Sequence, residues 1–123
     1  MSRIVGIGTD LVEISRVRKA YEKSSFQQKF FSEQERDLIE QKPDRVATTF
    51  AGKEAVVKAL GTGFHGIMPS DIEISRESTG APCVRLSGPA AERAETLGIS
   101  KVLLSLSDTE QMAMAYAVAI GEE

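Results

Sequence analysis

The chain has 123 residues, 41% of them apolar and 27% charged, with a net charge of −3. That length suits one domain with a hydrophobic core, and the charge argues against a general nucleic-acid binder. No apolar run approaches the roughly 20 residues of a membrane span, and Met1-Ser2-Arg3-Ile4 does not open a signal peptide, so no membrane association is expected. The single cysteine, Cys83, cannot form an internal disulfide, no Cys/His cluster suits zinc, and a reduced cytoplasm is the simplest setting. No repeat or linker divides the sequence, so 1–123 is read as one domain.

In chain order, residues 4–8 (Ile4-Val5-Gly6-Ile7-Gly8) read as a short apolar strand whose glycines let the backbone turn just before Asp10. A first helix is predicted over 12–24, with Ile14, Val17 and Tyr21 on one side and Arg16, Arg18, Lys19 and Lys23 on the other. Ser32-Glu33-Gln34-Glu35 is a capping box that starts a second helix ending near Lys42-Pro43. A third begins with Asp44 as N-cap and stops at Leu60-Gly61. Ala47, Ala51, Ala55 and Ala59 recur every fourth residue along it, a row that permits close approach, so this helix is expected to be central and buried. Its charges, Lys53, Glu54 and Lys58, then require partners or a ligand.

Ile72 and Ile74 alternate with polar neighbours, and the turn 78–82 leads into a strand over 83–86. Pro89 opens a helix that closes at Leu97-Gly98. Strands over 101–107 and 112–120 flank the turn 108–111 as an antiparallel hairpin. Helices segregated from hairpins predict an α+β fold, a mostly antiparallel sheet packed against the central helix.

Two carboxylates, Asp10 and Glu54, with Lys58 one turn beyond the second, suit a hard cation and chemistry on a phosphate ester. Plainer roles fit the same residues: a helix N-cap for Asp10, and for Glu54 and Lys58 an ion pair contributing roughly 0.2–0.5 kcal/mol. Gly6-Ile7-Gly8 lacks the third glycine of a dinucleotide fingerprint, having Leu11 there, and no Lys-Ser/Thr follows Gly66 as a phosphate loop requires. The amides of Gly61 to Gly63 could still hold a phosphate, or simply close the helix. His65 is the only histidine, and no nucleophile is placed beside it. The basic side of the first helix reads as a solvated face, and Ser107-Asp108-Thr109 as turn chemistry.

Taken together, residues 6–14 with Arg16, and then Phe50-Ala51-x-Lys53-Glu54-Ala55-x-x-Lys58-Ala59-x-Gly61, resemble the two signatures of holo-acyl-carrier-protein synthase. This is the small bacterial type of 4'-phosphopantetheinyl transferase, and the resemblance extends over essentially the whole chain. It implies transfer of 4'-phosphopantetheine from coenzyme A (CoA) to a serine of apo-acyl-carrier protein, releasing adenosine 3',5'-bisphosphate, in fatty acid biosynthesis. It implies further that Asp10 and Glu54 ligate magnesium, that Lys58 meets a phosphate, and that Asp10 or Glu54 is the base. CoA is expected between subunits of a homotrimer, against Lys58, Gly61, Ser107, Asp108 and Thr109. Arg16 is expected to contact the acidic carrier protein, with Arg18, Lys19 and Lys23 steering it.

Three positions depart from the family pattern: Thr49 and Ala81 where basic residues are common, and Asp108 where histidine is common. These changes concern how the CoA 3'-phosphate is held. Two other activities fit the residues alone: a metal-dependent hydrolase of CoA-like pyrophosphates, and a non-catalytic carrier-binding trimer.

Overall fold

The computed structural model describes residues 1–122. Strand β1 (Ser2–Glu13) pairs antiparallel with β5 (Met112–Glu122), which pairs antiparallel with β4 (Ile99–Asp108) on its other side. This gives a three-stranded sheet in the order β1-β5-β4, and β2 (Ile72–Arg76) with β3 (Pro82–Leu86) makes a separate antiparallel hairpin. Helices α1 (Ile14–Tyr21), α2 (Ser24–Phe30), α3 (Glu33–Gln41) and α4 (Arg45–Ala59) lie between β1 and β2 in sequence, and α5 (Gly88–Leu97) joins β3 to β4. The architecture is α+β with antiparallel sheets, as expected. No helix among the described residues is long and apolar enough to cross a membrane.

The sheet and α4 meet almost backbone to backbone. Register places Gly6, Gly8, Asp10 and Val12 opposite Ala119, Ala117, Ala115 and Ala113, and residues paired across strands share a face. Those four alanines are fully buried, and so are Ala51 and Ala55 of α4. A Cβ on Gly6 would collide with the Ala59 carbonyl oxygen, and one on Gly8 with that of Ala55. Both glycines therefore serve close helix approach rather than a turn. The strand does not end at Gly8 but continues to Glu13, because pairing with β5 persists along its length. Asp10 consequently sits inside β1 and is not a helix N-cap.

The first helix is also shorter than its periodicity suggests. It stops at Tyr21, Lys23 is extended (φ −87°, ψ 122°), and α2 restarts at Ser24. The bend lets Phe30 stack on Phe50 at 4.7 Å between ring centroids, while Phe31 meets Tyr21 edge-on at 5.3 Å. Helix α3 carries the expected capping box, with the Glu35 amide donating to Ser32 Oγ and the Ser32 amide donating to Glu35 Oε1. Asp44 stands just before α4, but its side chain caps no amide; its carboxylate accepts a hydrogen bond from Arg18 instead.

Candidate active site

Two elements of the core, β1 and α4, bring the two sequence motifs together. β1 presents Asp10 on the face covered by α4, and the last two turns of α4 carry Glu54 and Lys58. Lys58 Nζ donates to Asp10 Oδ1 at 3.3 Å and to the Thr9 carbonyl oxygen at 2.9 Å. The Asp10 side chain is 14% exposed, that of Lys58 51%. Asp10 Oδ2 is buried with no hydrogen-bond partner. A buried carboxylate oxygen without a donor is costly to the fold and marks a place where a ligand belongs.

Glu54 is half-buried beside this pair. Burial, first, and then the negative charge of Asp10 push the Glu54 carboxyl above its usual range, while Lys58 pulls the other way. A half-buried Glu54 carboxyl raised by burial and by the charge of Asp10, with one Asp10 oxygen orphaned beside it, suits a divalent cation. Among the described residues no group of three or more His, Cys, Asp and Glu side chains is placed to hold a metal. Two protein carboxylates are the donor set magnesium accepts when water and substrate phosphate complete its shell.

The remaining expected residues fall into three places. Gly61 closes α4 with a left-handed conformation (φ 80°), its amide donating to the Lys58 carbonyl oxygen at 2.9 Å, next to Lys58 itself. Ser107, Asp108 and Thr109 lie elsewhere: β5 separates β4 from β1, putting two strand spacings, about 9–10 Å, between them and the line of Asp10. Ser107 pairs with Met114 on the sheet face away from α4, and Asp108 lines a cleft with Arg45 and Arg76. Thr109 Oγ1 accepts the amides of Gln111 and Met112, the turn role its bland reading foresaw.

Arg16, Lys19 and Lys23 are exposed, whereas Arg18 is tied to Asp44 and Lys23 precedes α2 rather than extending α1. Sequence reasoning missed a groove of about 360 Å³ beside Arg16, lined by Leu11, Val17, Phe26, Phe50 and Met112. It depends on the α1–α2 bend, which no glycine or proline announces. The partner of Lys53 was missed too. It is Glu35, which already serves the capping box, so no charge was left over to signal a second role.

The profile described as the 4'-phosphopantetheinyl transferase superfamily matches residues 6–120. The chain belongs to that superfamily. It is 42% identical over 115 residues to a holo-[acyl-carrier-protein] synthase of Lachnoclostridium phytofermentans, covering 94% of each chain. It is 44% identical over 119 residues to the same-named protein of Clostridium novyi, covering 94% of this chain and 86% of that one. Among solved structures, an acyl carrier protein synthase of Plasmodium yoelii with ADP bound superposes with a TM-score of 0.88 at 34% identity, covering 100% and 99% of the two chains. The holo-[acyl-carrier-protein] synthase of Helicobacter pylori in complex with coenzyme A gives 0.81 at 34% identity over 92% and 98%. Membership covers the residues of both sequence motifs, Asp10 included and Glu54 to Gly61 included.

Proposed function

We propose that this chain transfers 4'-phosphopantetheine from coenzyme A to a serine of apo-acyl-carrier protein, giving holo-acyl-carrier protein and adenosine 3',5'-bisphosphate. The observation that carries the reading is the orphaned, buried Asp10 Oδ2 next to Glu54 and Lys58. In the transfer, the serine oxygen forms a bond to the phosphorus that bears pantetheine. The bond from that phosphorus to the bridging oxygen breaks, and its electron pair leaves with adenosine 3',5'-bisphosphate. The serine proton passes to a carboxylate, Asp10 or Glu54. Lys58, half-exposed at the mouth of the pair, swings to the diphosphate and offsets negative charge that grows as the leaving group departs.

Asp10 and Glu54 are the residues that would hold magnesium. Bound there, it would neutralise the diphosphate and favour departure of the bisphosphate. Gly61 and the turn after α4 present backbone to the same phosphates.

Carrier protein docks, in this reading, on the exposed cations Arg16, Lys19 and Lys23, with apolar side chains of the carrier entering the groove next to Arg16. The assembly is a homotrimer. Its support here is the sheet face turned away from α4, where Ile4, Ile7, Leu11, Leu103, Met114 and Tyr116 are exposed. An apolar face of that extent marks an interface. The separation of Asp108 from Asp10 within one chain also favours a site completed by a neighbour. Leu103→Glu is expected to lower the mass measured by light scattering; an unchanged mass in a folded variant removes that face from the interface. A cytoplasmic setting, with Cys83 a free thiol, belongs to the same reading.

Mass spectrometry of apo-carrier protein incubated with this protein, coenzyme A and magnesium is the deciding experiment. The carrier should gain the mass of phosphopantetheine. Cleavage of coenzyme A with no gain in carrier mass would convert the reading to a hydrolase, and no reaction at all would leave only a binder.

A further inference from the structure

All five phenylalanines of the chain gather in one cluster. Phe26 and Phe30 come from α2, Phe31 follows it, Phe50 lies on α4, and Phe64 sits in the loop 61–68 after α4. Phe30 alone meets every other member. Its ring stacks on Phe26 at 5.4 Å and on Phe50 at 4.7 Å, and it lies tilted to Phe31 at 5.2 Å and edge-on to Phe64 at 5.7 Å. Lys53 Nζ, fixed by Glu35, sits 5.5 Å from the same ring.

The two ends of this cluster reach different surfaces. Phe26 and Phe50 line the groove beside Arg16, whereas Phe30 does not. At the other end, Phe64 belongs to a loop with little else to hold it. Among the described residues, no hydrogen bond ties 62–67 to another element; Thr62 Oγ1 donates only to the Gly63 carbonyl oxygen, inside the loop. Side chains pin the loop instead: Ile67 is buried, and the half-buried Phe64 ring rests against Phe30. The loop begins at Gly61, whose amide closes the turn that carries Lys58. Where the backbone runs beyond Lys58 therefore depends on where the Phe64 ring is seated. Leucine at position 30 would fill much of the same space but offers neither a face for Phe50 nor a ring for Phe64 to meet edge-on.

We propose that Phe30 is a positioning residue serving both substrate surfaces at once. It seats Phe26 and Phe50 as a wall of the carrier groove, and Phe64 as the anchor of the loop after α4. The proposal rests on the transferase reading for the identity of the two substrates. Phe30 contacts neither of them and acts through its neighbours.

Phe30→Leu, Phe64→Leu and the double variant, each checked for folding by circular dichroism, test this against the wild type. Transfer kinetics are measured for both substrates, and calorimetry follows binding of adenosine 3',5'-bisphosphate and, separately, of apo-carrier protein. Phe30→Leu should raise both KM values by about twofold to tenfold, the range for one aromatic pair, with kcat held within about twofold. Phe30→Met takes its place if the leucine variant does not fold. Phe64→Leu should raise the KM for coenzyme A alone, and the double variant should go no higher than Phe30→Leu, because one shared contact is lost only once. A residue that merely stabilises the fold would lower the folded fraction, and with it kcat, at unchanged KM. That result, a shift in only one KM for the position-30 variant, an unchanged coenzyme A KM in Phe64→Leu, or a double variant that multiplies the separate effects overturns the proposal. If the wild type transfers nothing, the transferase reading falls, and the two calorimetric titrations decide whether Phe30 serves both surfaces. A wild type that binds neither ligand overturns this inference as well.

Discussion

Helix α4 carries two lysines, Lys53 and Lys58, each paired with a carboxylate from another element, and the two pairs are opposites. Lys53 Nζ donates to Glu35 Oε1 at 2.6 Å with both side chains 0% exposed. Glu35 also accepts the Ser32 amide at Oε1 and the Ile74 amide at Oε2, so each oxygen is satisfied. Lys58 meets Asp10 at 3.3 Å, half in solvent, and leaves Asp10 Oδ2 with nothing. The closed pair binds α3, α4 and β2 into one core. The open pair leaves one buried carboxylate oxygen without a protein donor, where a ligand can enter. Satisfaction of the carboxylate, rather than presence of an ion pair, separates framework from site.

The largest effect expected from breaking this contrast is on the closed pair. Lys53→Met should cost about 3–5 kcal/mol of stability in denaturant titration, because Glu35 is left charged or protonated in the core without its cation. Replacing both partners, Glu35→Gln with Lys53→Met, should cost less than the single change. A single-variant loss below about 1 kcal/mol would show that the Ser32 and Ile74 amides suffice. The neighbouring Phe30 and Phe31 rings, 5.5 and 5.7 Å from Lys53 Nζ, add to what the lysine loses.

Asp10→Asn sharpens the contrast from the other side. Transfer should fall by about 10²–10³, the range for removing one group that stabilises developing charge. Stability should hold or rise, because Asp10 raises the Glu54 carboxyl by repulsion and removing that charge relieves it. A variant that loses stability along with activity would make Asp10 framework after all. Lys58→Ala comes next. It should raise the coenzyme A requirement about tenfold with a smaller change in kcat, as expected for one charged contact to phosphate. An unchanged KM for coenzyme A removes Lys58 from the phosphates.

How much of this was legible in the sequence follows the same division. The alanine row foretold a central helix, and Ser32 with Glu35 foretold the cap, because both patterns are local and repeat at helical spacing. The length of β1 was not legible. Its inner face is glycine where α4 presses on it, and Asp10 interrupts the apolar pattern, so period-two alternation fades after Gly8 although the ladder runs to Glu13. The break at Glu22-Lys23 has no glycine or proline and exists for the aromatic cluster that only the folded chain assembles. Asp10, Glu54 and Lys58 stand out in the sequence by residue type alone; that Lys58 reaches Asp10 across 48 residues and leaves Asp10 Oδ2 without a partner is visible only in the fold.

The smallest expected effects lie on α1 and bear on whether its cations are free. Arg18 is already committed to Asp44 across a gap of 26 residues, and both side chains are mostly exposed. Arg18→Ala should therefore change stability by less than about 1 kcal/mol and leave carrier kinetics nearly unchanged. Arg16 has no such tie in the described chain and stands at the rim of the apolar groove. Arg16→Glu should raise the KM for carrier protein several-fold at low salt while leaving that for coenzyme A alone, and the penalty should shrink as added salt shortens the screening length from about 10 Å toward 3 Å. If Arg18→Ala impairs the carrier as much as Arg16→Glu, the docking surface continues along the helix, and the bond to Asp44 must open when carrier protein arrives.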